Sequence, residues 1–261
     1  MGVLEAFYKN ASTSPFVKIT EIEMKPKSNN LFHFTSSIDV LKLILKNGIY
    51  PRYCLEDFGW FGYEKSKHIG YPMSCFCDIP LSRISEHTNF YGMYGIGFTK
   101  EWGLKNGLNP IIYLTEGGSV CDMVKFYCNI RKPDNIDETI KDSQLFILLS
   151  HVKPISGTMF IGGKKVEKDF YQENEWRYVP KVNTLIFQED FENVKDELNQ
   201  EVEKYKIELT PQDIKYIFVK TDSDIPGLVD FINGNLGNFP HNDLKILQSR
   251  ITSLETLNSD I

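Results

Sequence analysis

The segment Gln172-Glu173-Asn174-Glu175-Trp176-Arg177 places two glutamates one residue apart in a stretch whose pattern predicts a β-strand closed by Pro180. Alternate residues of a strand project from one face, so we expect the two carboxylates to point to the same place. Neighbouring like charges repel, which should raise the pKa of at least one glutamate. Such perturbed pairs are typical of functional sites, and the segment therefore indicates an active cleft.

The surrounding chain predicts a mixed α+β domain. Strands are expected at Leu31–Thr35, at Met73–Cys77 and at Lys215–Val219, where short apolar runs lie between turn residues. Apolar residues recur at helical spacing over two segments and predict a helical insertion at about 119–152. The fold class is therefore α+β, with short strands separated by helices and loops.

The chain divides into an arm and one domain. Residues 1–27 are polar and interrupted by Pro15 and Pro26, so they are expected to form an N-terminal arm before a single domain over 28–261. The stretch Tyr50–Tyr71 is aromatic and interrupted by glycines. It predicts a loop that is longer than most connections in a compact domain. Loops of this length usually have a function, and this one could act as a lid.

The composition excludes several classes of protein. The chain has 261 residues, a formal charge of -6 and a pI near 5.5, which argues against binding nucleic acid through a general basic field. No apolar run approaches the roughly 20 residues of a membrane helix, and the N-terminus lacks a basic region followed by an apolar one. We therefore expect a cytoplasmic protein with no membrane partner.

The five cysteines fit reduced thiols better than a disulfide framework, because their number is odd and their spacing irregular. A metal site is the alternative. Cys75 and Cys77 share one face of a predicted strand, and Cys54, His68 and His87 are close enough in sequence to complete four ligands. The spacing differs from that of zinc knuckles, so buried thiols are favoured and no metal is expected.

Two motifs resemble a known family. They are Cys75-Phe76-Cys77-Asp78-Ile79-Pro80 and Tyr91-Gly92-Met93-Tyr94-Gly95, followed later by the Glu-x-Glu-Trp-Arg segment. Over residues 31 to about 180 the chain resembles the AbiGi family, bacterial proteins associated with abortive phage resistance and described as antitoxins. The resemblance implies a role in antiphage defence and a toxin or antitoxin partner, but it implies no chemistry.

A looser resemblance implies a chemistry. A first strand with His and Thr, a helix directly after it, central aromatic residues and a late Glu-x-Glu strand are similar to ADP-ribosyltransferase-type folds, which hold NAD between two small sheets around a cleft. The resemblance implies that NAD is the substrate, that His33 binds the adenosine-side ribose and that Thr35 supports the backbone at the nicotinamide amide. Tyr91 or Tyr94 would stack on the nicotinamide, and Glu175 would act on the nicotinamide ribose.

The remaining roles follow from the same resemblance. Loss of nicotinamide builds positive charge on the ribose, which a carboxylate stabilises, and Glu173 would then orient or deprotonate the acceptor. The loop over residues 160–171 meets the target in such folds, and it could hold nucleic acid by charge and stacking, while a protein acceptor stays open. Its candidate target-binding residues are Lys164, Lys165, Phe170 and Tyr171.

Plainer interpretations stay open beside the catalytic one. The glutamates could form a solvent-facing edge, with Arg177 pairing Glu175 at little energetic consequence. The histidine and the tyrosines could serve packing alone. The protein could also be a non-catalytic binding module that recognises a toxin or phage protein through the aromatic loop from Trp60 to Tyr71.

Overall fold

The computed structural model describes residues 28–62, 66–131, 143–161, 164–182 and 184–259. The predicted arm over 1–27 lies outside these residues. So do Gly162 and Gly163, and residues 132–142 of the predicted insertion.

Strands and helices alternate along the described chain. The strands are β1 (Asn30–Thr35), β2 (Arg52–Asp57), β3 (His68–Cys77), β4 (Tyr94–Thr99), β5 (Asn109–Pro110), β6 (Ile112–Leu114), β7 (Val152–Pro154), β8 (Ser156–Ile161), β9 (Lys164–Asp169), β10 (Glu175–Tyr178), β11 (Ile186–Phe187), β12 (Ile214–Val219) and β13 (Ile251–Ser253). The helices are α1 (Ile38–Asn47), α2 (Ile84–Tyr91), α3 (Lys100–Lys105), α4 (Ser119–Arg131), α5 (Ser143–Ser150), α6 (Phe191–Val202), α7 (Asp224–Asn235), α8 (His241–Gln248) and α9 (Leu254–Ser259). The predicted α+β class is confirmed.

A large sheet organises the domain. Its strand order is β13-β12-β4-β1-β3-β10-β5, and β2 and β11 pair with the first half of β3. Within the described residues this makes a nine-stranded sheet, with two-stranded pairs β6-β7 and β8-β9 beside it. Strand β3 is long enough to belong to two sets of strands, β2 and β11 at its first half and β1 and β10 at its second. An ADP-ribosyltransferase-like arrangement is not established by this topology.

The neighbouring strands β1 and β3 separate soon after they meet. Of the described residues, Phe32 and Cys77 form the one β1–β3 pair, whereas β1 pairs with β4 along its whole length. Beyond this pair, the His33 side chain spans the gap between the two strands. Its Nδ1 atom lies 2.8 Å from the carbonyl oxygen of Cys75. The gap matters because the main cavity of the protein opens there.

Helix α1 begins and ends at local sequence signals. The Ser37 hydroxyl accepts a hydrogen bond from the Val40 amide and caps its first turn, and Gly48 follows its last residue with φ +90°. A Cβ atom at Gly48 would lie 2.4 Å from the carbonyl oxygen of Ile207, so only glycine fits there. The buried face of α1 packs into the apolar core beside β4 and β12.

The prediction of a long loop at Tyr50–Tyr71 is wrong. Arg52–Asp57 is strand β2, which pairs antiparallel with β3 in register from Asp57 opposite His68. The described aromatic residues between the strands, Phe58, Trp60 and Phe61, pack in the core, since Trp60 is only 4% exposed and packs against Phe58. Trp60 and Tyr71, the two ends of the surface proposed for a binding module, are therefore buried rather than presented to a partner.

The helices α4 and α5 lie within the predicted insertion and form a second apolar core against β3. The C-terminal segment packs onto the domain rather than extending from it. Strand β13 pairs in parallel with β12 and extends the sheet, and α7 buries Leu228 and Ile232 in the main core. Strand β13 has no counterpart among the strands expected from the sequence.

Candidate functional site

A cavity of about 1380 Å³ opens at the gap between β1 and β3. Its wall contains residues of β1, β2, β3, α2, β7 and β8 together with the Glu173–Glu175 segment. Pockets for small molecules usually enclose roughly 300–1,000 Å³, so this cavity is large enough for a ligand of dinucleotide size.

The structure brings some of the predicted residues together and leaves others outside. His33, Tyr91, Glu173 and Glu175 come from separate parts of the chain and all line the cavity. The candidates Thr35 and Tyr94 do not. They face each other across β1 and β4, and Tyr94 lines a separate shallow pocket, with its hydroxyl 3.5 Å from Asp224 Oδ2.

The cavity walls differ on the two faces of the sheet. Glu175 is paired with Cys77, which is paired with Phe32, so these three side chains share one face. Alternation along β1 places the His33 side chain on the opposite face. Both His33 and Glu175 still line the cavity, because the separation of β1 from β3 connects the two faces.

The two glutamates converge by a different route from the predicted one. Glu173 ends a 3₁₀ turn over Phe170–Glu173, Asn174 adopts a left-handed conformation with φ +43°, and Glu175 begins β10. They are therefore not alternate residues of one strand. Their carboxylates nevertheless meet, because both contact the same buried ammonium group of Lys153.

Arg177 fixes the orientation of Glu175. Its guanidinium is fully buried. The Nε atom lies 2.6 Å from Glu175 Oε1, and the Nη2 atom lies 2.6 Å from Glu56 Oε2. Its third branch, Nη1, donates to the carbonyl oxygen of Ser150 at 2.6 Å. The expectation of an exposed Arg177–Glu175 pair is wrong, since this ion pair lies in the interior, where losing one partner is costly.

Lys153 is the second cation of the cluster. Its Nζ atom lies 2.9 Å from Glu175 Oε2, 3.3 Å from Glu173 Oε2 and 3.7 Å from Glu56 Oε2. The same atom lies 4.3 Å from the centre of the Phe170 ring, a cation–π contact. Lys153 therefore holds three carboxylates that would otherwise repel one another.

Lys168 completes the cluster from β9. Its Nζ atom lies 2.5 Å from Glu173 Oε1 and sits over the rings of Phe90 and Tyr91. The Tyr91 hydroxyl also donates a hydrogen bond to Glu173 Oε1. Three carboxylates and three cations thus balance one another in the interior, and they are Glu56, Glu173, Glu175, Lys153, Lys168 and Arg177.

This balance decides the charge of Glu175. Burial alone would raise the pKa of its carboxyl, but Arg177 and Lys153 outweigh burial and hold that pKa well below its ordinary value. The expected upward shift from glutamate repulsion is therefore wrong for Glu175. Burial likewise opposes the charge of Lys153, but the surrounding glutamates raise its pKa well above the ordinary value. Both groups are charged at neutral pH.

The two histidines at the cavity are neutral at pH 7. Burial lowers the pKa of His87 to about 4, and its ring stacks on Tyr91 with 4.5 Å between ring centres. Burial also lowers the pKa of His33, against the smaller opposing effect of its bond to Cys75. A carbonyl oxygen can only accept, so Nδ1 of His33 carries the proton and Nε2 is left as an acceptor.

The predicted target-binding loop is a hairpin followed by a turn. Strands β8 and β9 pair antiparallel and precede the turn that contains Phe170 and Tyr171. Lys164 and Lys165 are exposed on β9, and Tyr171 is 55% exposed. Phe170 is buried under Lys153 and lines the cavity, so its ring is not presented at the surface.

The thiols considered for the alternative metal site are buried or half-buried. Burial raises the pKa of Cys54 to about 12 and that of Cys75 well above its ordinary value, and both are free thiols. Across the described ranges, no group of three or more His, Cys, Asp or Glu residues is arranged to hold a metal ion. Among the same residues, no helix combines the length and apolar character needed to span a membrane.

The sequence interpretation missed Glu56 and Lys153. Glu56 lies in the segment predicted as a lid. The sequence therefore did not indicate that this residue belongs to a strand or that its side chain points into the interior. A signal for Lys153 existed, since it is a lone lysine between Val152 and Pro154 directly after an apolar helix. A charged residue in such a context is buried only when it is paired.

The fold and the site define an α+β protein with a charge-balanced carboxylate cluster in the wall of a large cavity. The family described as "Putative abortive phage resistance protein AbiGi, antitoxin" matches residues 47–220, and the chain therefore belongs to the AbiGi family. It is 28% identical over 245 residues to a Lactococcus lactis subsp. cremoris protein named Abortive phage resistance protein AbiGi, covering 80% of this chain and 98% of that relative. No solved structure matches the chain.

Proposed function

We propose that this protein acts in abortive phage resistance and that it binds NAD in the cavity and cleaves the bond between nicotinamide and ribose. The antiphage part rests on the family and on the name of the Lactococcus relative. The NAD part rests on one observation. His33, Tyr91 and the Glu173–Glu175 pair come from three distant parts of the sequence and line a single cavity large enough for a dinucleotide.

The state of Glu175 suits this reaction. When the glycosidic bond breaks, nicotinamide leaves with the bonding electron pair and positive charge develops on the ribose. An ionised carboxylate stabilises this charge more in the transition state than in the ground state. Arg177 and Lys153 keep Glu175 ionised and fixed in place, so little reorganisation is needed as the charge develops.

Glu173 suits the second half of the reaction. Water or an acceptor hydroxyl forms the new bond to the ribose carbon and gives up a proton, which Glu173 would accept. Tyr91 and Lys168 hold the same Glu173 oxygen, so the carboxylate is oriented but must exchange one of these partners to take the proton. Glu173 and Glu175 thus have separate partners and separate roles.

The mouth of the cavity offers a cation for a pyrophosphate. Arg52 lines the mouth, where it pairs with Glu203 at 3.1 Å, and both side chains are nearly half exposed. Exposed ion pairs contribute little energy, so a phosphate can replace the Glu203 carboxylate at small cost. Lys164 and Lys165 are exposed and pair with the cavity-lining residues Ile161 and Phe160, and Tyr171 is exposed on the turn that follows. These three residues would contact a macromolecular acceptor, if one is used.

The test is release of nicotinamide from NAD by the purified protein, followed by chromatography. Glu175→Gln should abolish release. Because Glu175 is part of a buried network, the matched control is Glu56→Gln, which removes the same charge and the same kind of Arg177 contact. Loss of release in Glu175→Gln with retention in Glu56→Gln supports the proposal. Equal rates in wild-type and Glu175→Gln protein refute it.

A non-catalytic antitoxin is the second candidate. It is favoured by the family description and by the charge balance of the cluster, which leaves each buried carboxylate paired with a cation. Phage plating separates the two functions. If bacteria expressing Glu175→Gln are protected as well as those expressing the wild type, the antitoxin function is supported. If protection is lost in Glu175→Gln and kept in Glu56→Gln, the catalytic function is supported.

A further inference from the structure

Helix α4 carries large apolar side chains on two opposite faces. Cys121, Val124 and Cys128 are buried and pack one face into the second apolar core. Met123 and Phe126 project from the opposite face, where they are 61% and 66% exposed. Soluble monomers rarely leave such side chains together in water, and their presence marks a surface that binds another protein.

The exposed side chains form one stripe. Val120 lies three residues before Met123 and is 48% exposed, and Phe126 lies three residues after Met123. Residues three apart are neighbours on a helix surface, so the stripe runs over almost two turns, about 9 Å. It is separate from the cavity, since no residue of α4 is among the described residues of the cavity wall. A role for this stripe is therefore independent of NAD binding.

The charges beside the stripe are balanced. Asp122 directly precedes Met123 and Lys125 directly precedes Phe126, so both charges lie on the same side of the stripe. Helix α6 differs, because its residues include four acids and one lysine. A second copy of the chain would be repelled at α6, whereas at α4 an acid of one copy can face a lysine of the other.

We infer that the chain forms a homodimer in which α4 packs antiparallel on α4 of a second copy. A two-fold axis between Met123 and Phe126 places each Met123 against Phe126 of the other copy, so the same contact forms twice. Contacts between a methionine sulfur and an aromatic ring are favourable. The two-fold rotation also brings the same side of both stripes together, so each Asp122 faces Lys125 of the other copy.

The dimer is expected to be weak. Stable protein interfaces bury roughly 1,200–2,000 Å², and a stripe of three side chains on each copy covers less. We therefore expect dissociation in the micromolar range, which sedimentation velocity of the purified full chain at increasing concentration measures. Met123→Glu and Phe126→Glu should each raise the dissociation constant about tenfold or more, because each places a carboxylate in the apolar contact.

The matched control is Leu104→Glu, at a residue of α3 that is 63% exposed. This variant adds the same charge at a similarly exposed apolar position and should dimerise like the wild type. All three substituted side chains are exposed, so the melting temperatures measured at low concentration should stay close to that of the wild type.

Exchange of the two charges tests the antiparallel arrangement itself. Asp122→Lys and Lys125→Asp each place like charges opposite each other, so each should weaken the dimer. The double variant restores opposite charges across the two-fold axis and should recover most of the wild-type affinity. Pairing with a second copy gives this recovery because both members of each charge pair change together.

The inference is supported by a dimer that Met123→Glu and Phe126→Glu weaken, that Leu104→Glu leaves intact and that the double charge exchange restores. A monomer at every concentration overturns it and leaves the stripe to a different protein partner. A dimer that the two glutamate substitutions leave unchanged also overturns it, because the interface then lies elsewhere. If the double exchange dimerises no better than the single ones, the antiparallel pairing is wrong.

Discussion

Replacing Lys153 by methionine should destabilise the protein strongly. Methionine has similar length and fills the space over Phe170, but it removes the ammonium group that contacts three carboxylates at 2.9, 3.3 and 3.7 Å. The cluster would change from three carboxylates and three cations to three carboxylates and two cations. Breaking a buried ion pair by removing one partner costs about 3–5 kcal/mol, and we expect a loss of that size.

The assay is urea unfolding at pH 7, with the exposed Lys164→Met as the control for a lost lysine charge. A second variant tests the charge argument itself. Adding Glu175→Gln to Lys153→Met restores equal numbers of carboxylates and cations, so the double variant should lose less stability than the sum of the two single losses. A cost below about 1 kcal/mol for Lys153→Met, or additive losses in the double variant, would show that Lys153 does not offset the charge of the buried carboxylates.

Three further predictions follow from the described contacts. Folding lowers the pKa of Glu175 from its ordinary value of 4.5. The ionised carboxylate therefore stabilises the protein above pH 4.5, and this stabilisation is lost as the pH falls below 4.5. The urea midpoint should fall less with decreasing pH in Glu175→Gln than in the wild type. Gly92→Ala should cost about 1–3 kcal/mol, because φ is +114° and the new Cβ would lie 2.2 Å from a backbone oxygen of β1. Arg52→Ala should weaken calorimetric NAD binding roughly 2- to 5-fold, and less at high salt.

Each of these predictions has a result that would contradict it. If the urea midpoint falls equally with decreasing pH in Glu175→Gln and in the wild type, folding does not lower the pKa of Glu175. Gly107→Ala is the control for Gly92→Ala, since Gly107 has φ +76° with open space around it, and equal losses would show that the close contact is unimportant. For Arg52, unchanged NAD affinity at low salt would remove the pyrophosphate contact.

The local parts of the fold were readable from the sequence. Ser37 and Gly48 mark the ends of α1, and the apolar run before Thr221 predicts β12, because these signals depend only on nearby residues. Strand β2 was missed, since Arg52–Asp57 mixes charged and apolar residues and forms a strand only by pairing with β3. A single sequence does not specify that partner.

The candidate site was predictable in its residues but not in its electrostatics. The spacing of Glu173 and Glu175 pointed to a shared location, which they reach through a turn rather than one strand. The cations that hold them come from the end of the insertion and from β9, at distances along the chain that no local pattern connects. The predicted repulsion between Glu173 and Glu175 is therefore outweighed by their attraction to these cations. Phe170, predicted to bind the target, instead contacts Lys153 in the cavity wall.

We propose that the cavity between β1 and β3 binds NAD. The most direct test of this proposal is calorimetric titration of NAD into the purified wild-type chain and into His33→Ala, with an intact fold checked by near-ultraviolet circular dichroism. We predict one binding site per wild-type chain and a clearly weaker site in the variant. No heat of NAD binding to folded wild-type protein, or equal binding in both, would contradict the account.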